Sequence, residues 1–115
     1  MEVDQASTPA TPLINCEPLK QLLTDLKLEP CAASFLLPVD WRSLGLANYT
    51  EIVKRPMDLG TVEDNLLSNK YLTLEDFLTD LDLIWGNCML FNQAGSEIHN
   101  QAKVMRRITN GLIKK

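Results

Sequence analysis

The chain is short of the residues on which metal and acid–base chemistry depend. It holds a single histidine, His99, in 115 residues. A zinc site or a His-dependent nucleophile therefore has too little material. His99 itself is expected on the surface of the last helix. Cys16, Cys31 and Cys88 are an odd count with no C-x-x-C spacing. They read as reduced intracellular thiols, neither a disulfide framework nor a metal site. Positive charge is in deficit, with 11 Lys and Arg against 15 Asp and Glu, a formal net charge of -4. That argues against a general grip on nucleic acid, which needs a basic face. It suits a basic partner such as a Lys/Arg-rich tail, as a weak steering term. No run approaches the roughly 18 apolar residues of a membrane span, and no signal-peptide pattern is visible. Asn48-Tyr49-Thr50 fits a glycosylation acceptor, which is idle without a secretory route. No glycine-rich phosphate loop follows a strand, and no nucleophile is paired with a base. The chain reads as a binding module, not an enzyme, with no metal and no cofactor.

The length and a 45% hydrophobic content support one domain with one core. Residues 1–14, with Ser7, Thr8, Pro9, Thr11 and Pro12, read as a flexible leader, and residues 15–115 as the domain. Asn15 can cap a first helix that carries Pro18 in its first turn and Leu19, Leu22, Leu23 and Leu26 on its apolar face. It ends near Glu29-Pro30. A second helix opens at Asp58, a good cap, with Leu59, Val62 and Leu66 facing inward, and closes at Ser68-Asn69. The last runs from about Ser96 to Lys114, with Ile98, Ala102, Met105, Ile108 or Thr109, and Leu112 as its stripe. Lys103, Arg106, Arg107, Lys114 and Lys115 make it basic, a solvated face that complements the acids of the helix before it.

That preceding helix organises the chain. Leu74, Phe77, Leu78, Leu81, Trp85 and Cys88 recur at the spacing of one helical face, with Thr73 as cap. Asp76, Asp80 and Asp82 fall off that face. The next step of the stripe is Asn92, an amide where the pattern asks for an apolar residue. Gln93-Ala94-Gly95-Ser96 follows as a turn. A buried amide left unpaired costs about 1–3 kcal/mol. Asn92 is therefore either a cap bonded to nearby backbone or a hydrogen-bonding group held open for a ligand.

The segment from Pro30 to Met57 shows no sustained period, yet holds Phe35, Leu36, Leu37, Val39, Trp41, Leu44, Leu46 and Tyr49. A connection so long and so apolar must pack on the helices and form walls. Short helical turns are predicted near Val39–Leu44 and Tyr49–Lys54. Short loops elsewhere make the four helices antiparallel, and such helices close into a bundle. The long loop and the Asn92 turn then lie at the same end.

Four features, at these spacings, resemble a bromodomain from about Cys16 to Leu112. They are Phe35-Leu36-Leu37-Pro38-Val39-Asp40; Tyr49 followed by Arg55-Pro56-Met57-Asp58-Leu59-Gly60-Thr61; Asn87-Cys88-Met89-Leu90-Phe91-Asn92; and Gly95 to Ile98. The resemblance implies an all-α, left-handed antiparallel four-helix bundle with the long apolar loop between helices 1 and 2. It also implies a reader of acetyl-lysine, on histone tails or other nuclear proteins, acting as a nuclear monomer without direct contact to nucleic acid or membrane. By the match, Asn92 donates to the acetyl carbonyl and Tyr49 reaches it through a water. Phe35 and Val39 form the floor and one wall, Leu44 and Leu46 the loop wall, and Ile98 the opposite side. Phe91 stands beside Asn92. The chain departs from the family at the shelf, where Ala33-Ser34-Phe35 stands for Trp-Pro-Phe. Loss of the large aromatic widens the groove and removes apolar contact worth about 1–2 kcal/mol. Trp41 is expected to pack on the first helix, and Trp85 in the core. The altered shelf also leaves two further readings: a degenerate member serving as a protein-interaction bundle, and a reader of longer acyl marks. The short leader and the end at Lys114-Lys115 suit a small protein or a module of a larger chain.

Overall fold

The structure, a computed structural model, describes residues 16–113. The leader expected over residues 1–14, the cap at Asn15 and the charges of Lys114 and Lys115 lie outside the described residues.

Helix α1 spans Cys16–Lys27, and Leu19, Leu22, Leu23 and Leu26 are its buried face. Proline at position 30 cannot continue that helix, but its fixed φ suits the start of a new one. A 3-10 helix follows directly, over Pro30–Phe35, with Ala32 and Phe35 buried. Sequence periodicity did not indicate it, because the buried pair is spaced by three, the 3-10 repeat, and only one repeat fits. The turn predicted near residues 39–44 forms, with Leu44 N–H donating to Asp40 O at 3.1 Å and Leu46 N–H to Trp41 O at 2.8 Å. Gly45 closes it at φ +73°, a conformation that favours glycine. Helix α2, Tyr49–Ile52, is the second predicted turn and buries Tyr49.

Helix α3 spans Leu59–Leu67 and starts at Asp58, whose side chain accepts the Thr61 N–H at 2.9 Å. Helix α4 spans Leu74–Phe91, with the Thr73 hydroxyl accepting the Asp76 N–H at 3.1 Å. Helix α5 spans Glu97–Ile113 and buries Ala102, Met105 and Thr109. The buried Thr109 hydroxyl donates to Met105 O at 2.7 Å, so the polar side of the stripe is satisfied within the helix.

The four long helices pack in a ring, α1 on α3, α3 on α4, α4 on α5 and α5 on α1. This is an all-helical four-helix bundle. The 3-10 helix rests on α5 and α1, and α2 on α4. Trp85 and Phe77 are fully buried at its centre. Phe35 meets Trp85 edge to face at 5.2 Å, which pins the start of the loop to the core.

Three expectations are corrected. Asp80 does not fall off the inner face of α4 but is 2% exposed, whereas Leu74 is 47% exposed. The cause is that α4 touches α3, α5 and α2, so more than one stripe of it is covered. Asp80 is tolerated because it is paired: Tyr71 Oη donates to Oδ2 and Arg55 Nη2 meets Oδ1, both at 2.7 Å. Trp41 is half-buried but does not join the core cluster that holds the α1 leucines, and the Arg42 guanidinium stands 5.0 Å from its ring centroid. His99 is half-buried on α5, not a free surface residue, and its Nδ1 is buried with no described partner.

Candidate ligand-binding site

The loop and the α4–α5 turn meet at one end of the bundle and enclose a cavity of about 230 Å³. Of the residues singled out from the sequence, Ser34, Phe35, Val39, Leu44, Leu46, Tyr49, Phe91, Asn92 and Ile98 all line it. Ala33 does not. It lies on the outer side of the loop, in a groove of about 510 Å³ that shares Ser34, Leu37, Val39 and Leu44 with the cavity. Leu37 and Leu44 are 74% and 65% exposed and form an apolar mouth.

Each wall is held by its own local chemistry. Gly60 allows the loop to lie against the start of α3. Its N–H donates to Leu36 O at 3.1 Å, and a Cβ there would stand 2.9 Å from that same carbonyl oxygen. Asn87 Nδ2 donates to Arg55 O at 2.8 Å and so anchors the loop's far end to α4. Tyr49 is 6% exposed and meets Phe91 edge to face at 4.9 Å. Burial, and secondarily the adjacent Cys88, raises the Tyr49 pKa, so its hydroxyl is neutral at physiological pH.

Asn92 is the residue at which α4 stops. Its backbone turns to φ -96°, ψ 148°, and its N–H still donates to Cys88 O. Its side-chain Nδ2 donates to the same carbonyl at 2.9 Å and lies 3.5 Å from Cys88 Sγ, a weak acceptor. An amide carries two N–H groups, so one strong bond orients the group without exhausting it. The Cys88 thiol in turn donates to Ile98 O at 3.4 Å, joining α4 to the first turn of α5. Burial raises its pKa against the lowering effect of the Asn92 bond, which keeps it a protonated wall residue.

Leu37, Met57, Asp58, Ile84, Asn87 and Cys88 also line the cavity, and were not singled out for it. Asn87 falls off the stripe that singled out Asn92, on the Asp80 side of α4, so periodicity gave no signal for it. Asp58 lines the cavity, and both its carboxylate oxygens accept from Thr61. Among the described residues, no group of three or more His, Cys, Asp or Glu could hold a metal ion. Nor is any described helix long and apolar enough to cross a membrane.

A family model described as Bromodomain matches residues 19–104. The chain belongs to the bromodomain family. This bromodomain is 40% identical over 95 residues to Bromodomain-containing factor 2 of Saccharomyces cerevisiae, which covers 83% of the chain and 15% of that relative. It is 48% identical over 65 residues to Bromodomain-containing factor 1 of Candida albicans, covering 56% of the chain and 9% of the relative. It is 34% identical over 87 residues to the SWR1 complex bromodomain subunit bdf1 of Schizosaccharomyces pombe, covering 76% and 15%. The chain thus spans between 9% and 15% of the length of these relatives.

Proposed function

We propose that this bromodomain binds acetylated lysine, on histone tails in chromatin, and does so as a reader without catalysis. One observation carries the reading: an apolar cavity of about 230 Å³ ends at Asn92, whose amide is oriented by the Cys88 carbonyl and otherwise meets only the weak Cys88 Sγ acceptor, a contact that a ligand carbonyl can replace. Acetylation removes the lysine charge, so the tip can leave water for such a slot. The unmodified ammonium would lose its hydration in a mostly apolar lining, whose one carboxylate, Asp58, is oriented toward the Thr61 N–H and hydroxyl at the start of α3. The one polar need of the acetyl tip is a donor for its carbonyl. Asn92 supplies it, and Tyr49 supports it through a bridging water. Phe35, Val39, Leu44, Leu46, Phe91 and Ile98 make the apolar contacts. One direct hydrogen bond and a small cavity give weak binding, about 10 μM to 1 mM.

The relatives' names support the setting. One is a subunit of the SWR1 complex, and others are named transcription factors. A nuclear place in a chromatin-bound assembly is part of this proposal, although two further transcription-factor relatives, of Arabidopsis thaliana, are named chloroplastic.

The test is a titration of isotope-labelled protein with N-acetyl-lysine and with plain lysine, following the Asn92 side-chain amide. The acetylated form alone shifts it, and Asn92→Ala abolishes the shift. Equal response to both ligands, or none at millimolar concentration, overturns the reading. Silence of the acetyl form with response to N-butyryl-lysine assigns the cavity to longer acyl marks.

A further inference from the structure

The basic run on α5 is only partly used by the bundle. Arg106 is committed: its Nε and Nη2 grip the two Asp82 carboxylate oxygens at 2.7 and 3.0 Å, tying α5 to α4. Gly86 leaves room for that side chain, since a Cβ there would stand 3.3 Å from Arg106 Nη2. Lys103 and Arg107 are exposed, and among the described residues neither has an ion-pair partner. They are four apart, so they project from one face of the helix one turn from each other.

Between them lies a groove of about 570 Å³, lined by Met89, Lys103, Arg106, Arg107, Asn110 and Gly111. It shares no residue with the acetyl-lysine cavity. Its lining is mainly apolar, as the Met89 thioether and long methylene stems make it, and with the Arg106 head held by Asp82 the charges left to a ligand are those of Lys103 and Arg107. Gly111 leaves its far end open, since nothing lies within 4 Å of where a Cβ would be. From Lys103 to Gly111 the groove follows α5 for about 12 Å, the length of two helical turns.

We propose that this groove docks an acidic, apolar segment of a partner protein. Two carboxylates about one turn apart would meet Lys103 and Arg107, and an apolar side chain between them would rest on Met89. Charge complementarity chooses the occupant. The two free cations face outward from a chain whose net charge is -4, which repels an extended polyanion. Asp82, which is bonded to the lining residue Arg106, would also oppose a phosphate backbone. A short segment with only two acids, both paired with the cations, and an apolar centre incurs less of both repulsions and uses the apolar lining that a nucleic acid would leave idle.

The experiment uses the whole chain with labelled methionine methyls and backbone amides. The probes are short synthetic peptides with glutamates four residues apart flanking a leucine. Controls replace both glutamates by lysine, or the leucine by serine. The expected result is a shift of the Met89 methyl and of the 103–111 amides by the acidic leucine peptide. The binding weakens at least tenfold in a Lys103→Glu/Arg107→Glu variant whose melting temperature and N-acetyl-lysine response are unchanged. Met89→Ala weakens it less. Silence of Met89 at about 2 mM peptide, a range weaker than useful recognition, overturns the proposal. So does equal binding of the lysine peptide. A short DNA duplex that shifts these groups while the peptides do not overturns it too, and makes the groove a nucleic-acid face.

Discussion

The side-chain amide of Asn92 donates to the carbonyl of Cys88 at 2.9 Å, one turn back along α4. That bond makes a helix-ending residue into an oriented one. A cap and a ligand donor are therefore not rival readings here. The Cys88 carbonyl, which also accepts the Asn92 backbone N–H, holds the amide in place, and beyond it the amide has only the weak Cys88 Sγ acceptor, which a carbonyl oxygen in the cavity would outcompete.

Replacing Asn92 by alanine separates the two contributions. Loss of the bond to Cys88 costs about 1 kcal/mol of stability, as one modest hydrogen bond. Affinity for an acetylated peptide drops at least tenfold, about 1.4 kcal/mol. Calorimetric titration and urea denaturation of the same variant measure both. A fall in stability with affinity intact would reduce Asn92 to a cap.

Gly60→Ala tests how the loop is seated. Alanine is ordinarily the better helix residue, by about 1 kcal/mol. Here its Cβ would stand 2.9 Å from Leu36 O, a backbone atom that cannot swing aside and that also accepts the Gly60 N–H. The clash outweighs the propensity gain, and net destabilisation of about 1–3 kcal/mol is expected, as for overpacking elsewhere. The urea midpoint reads it. Because the neighbouring Leu37 lines the cavity, acetylated-peptide affinity falls as well.

Tyr71 and Asp80 give a pH signature. Tyr71 is 8% exposed and its hydroxyl donates to a buried carboxylate. Burial first, and the Asp80 bond second, raise its pKa well above 10.0. A raised folded pKa means that the native state holds the proton more tightly than the unfolded chain. The contribution is thus complete below the ordinary tyrosine value and is lost as pH climbs from there through the folded value. Tyr71→Phe removes it. The variant is less stable by about 1.5–3 kcal/mol at neutral pH, as for a hydrogen bond to a charged group. Its stability then declines less steeply than the parent's above pH 10, as urea midpoints across the alkaline range record.

The helices were legible because their signals are local and repeated. Leu19 to Leu26, the Asp58 and Thr73 caps and the Gly95 turn each announce themselves within a few residues. What escaped depended on tertiary partners. Asp80 looks like a solvent acid until Tyr71 and Arg55 are placed beside it. Trp41 reads as a side chain packed on the first helix until the loop sets it outside the core, with Arg42 over its ring. The site divided the same way. Asn92 and Tyr49 stood out by pattern and resemblance. Asn87 needed the Arg55 carbonyl, 32 residues earlier, to show its purpose. Met57 and Ile84 needed the walls to close.

The position of Ala33 yields a prediction about the missing shelf. It sits outside the cavity, in the outer groove whose walls Leu37, Val39 and Leu44 are shared with the mouth. A large aromatic there would cover those exposed leucines and extend the apolar wall along which a bound side chain runs. Ala33→Trp therefore strengthens binding of an acetylated peptide by about five- to thirty-fold, the equivalent of about 1–2 kcal/mol of added apolar contact. The free amino acid N-acetyl-lysine gains less, because it reaches the cavity but little of the groove. Parallel calorimetric titrations of peptide and amino acid into the parent and the variant decide it. An equal gain for both would place the new contact inside the cavity, and no gain would show that the loop's own leucines already close the wall.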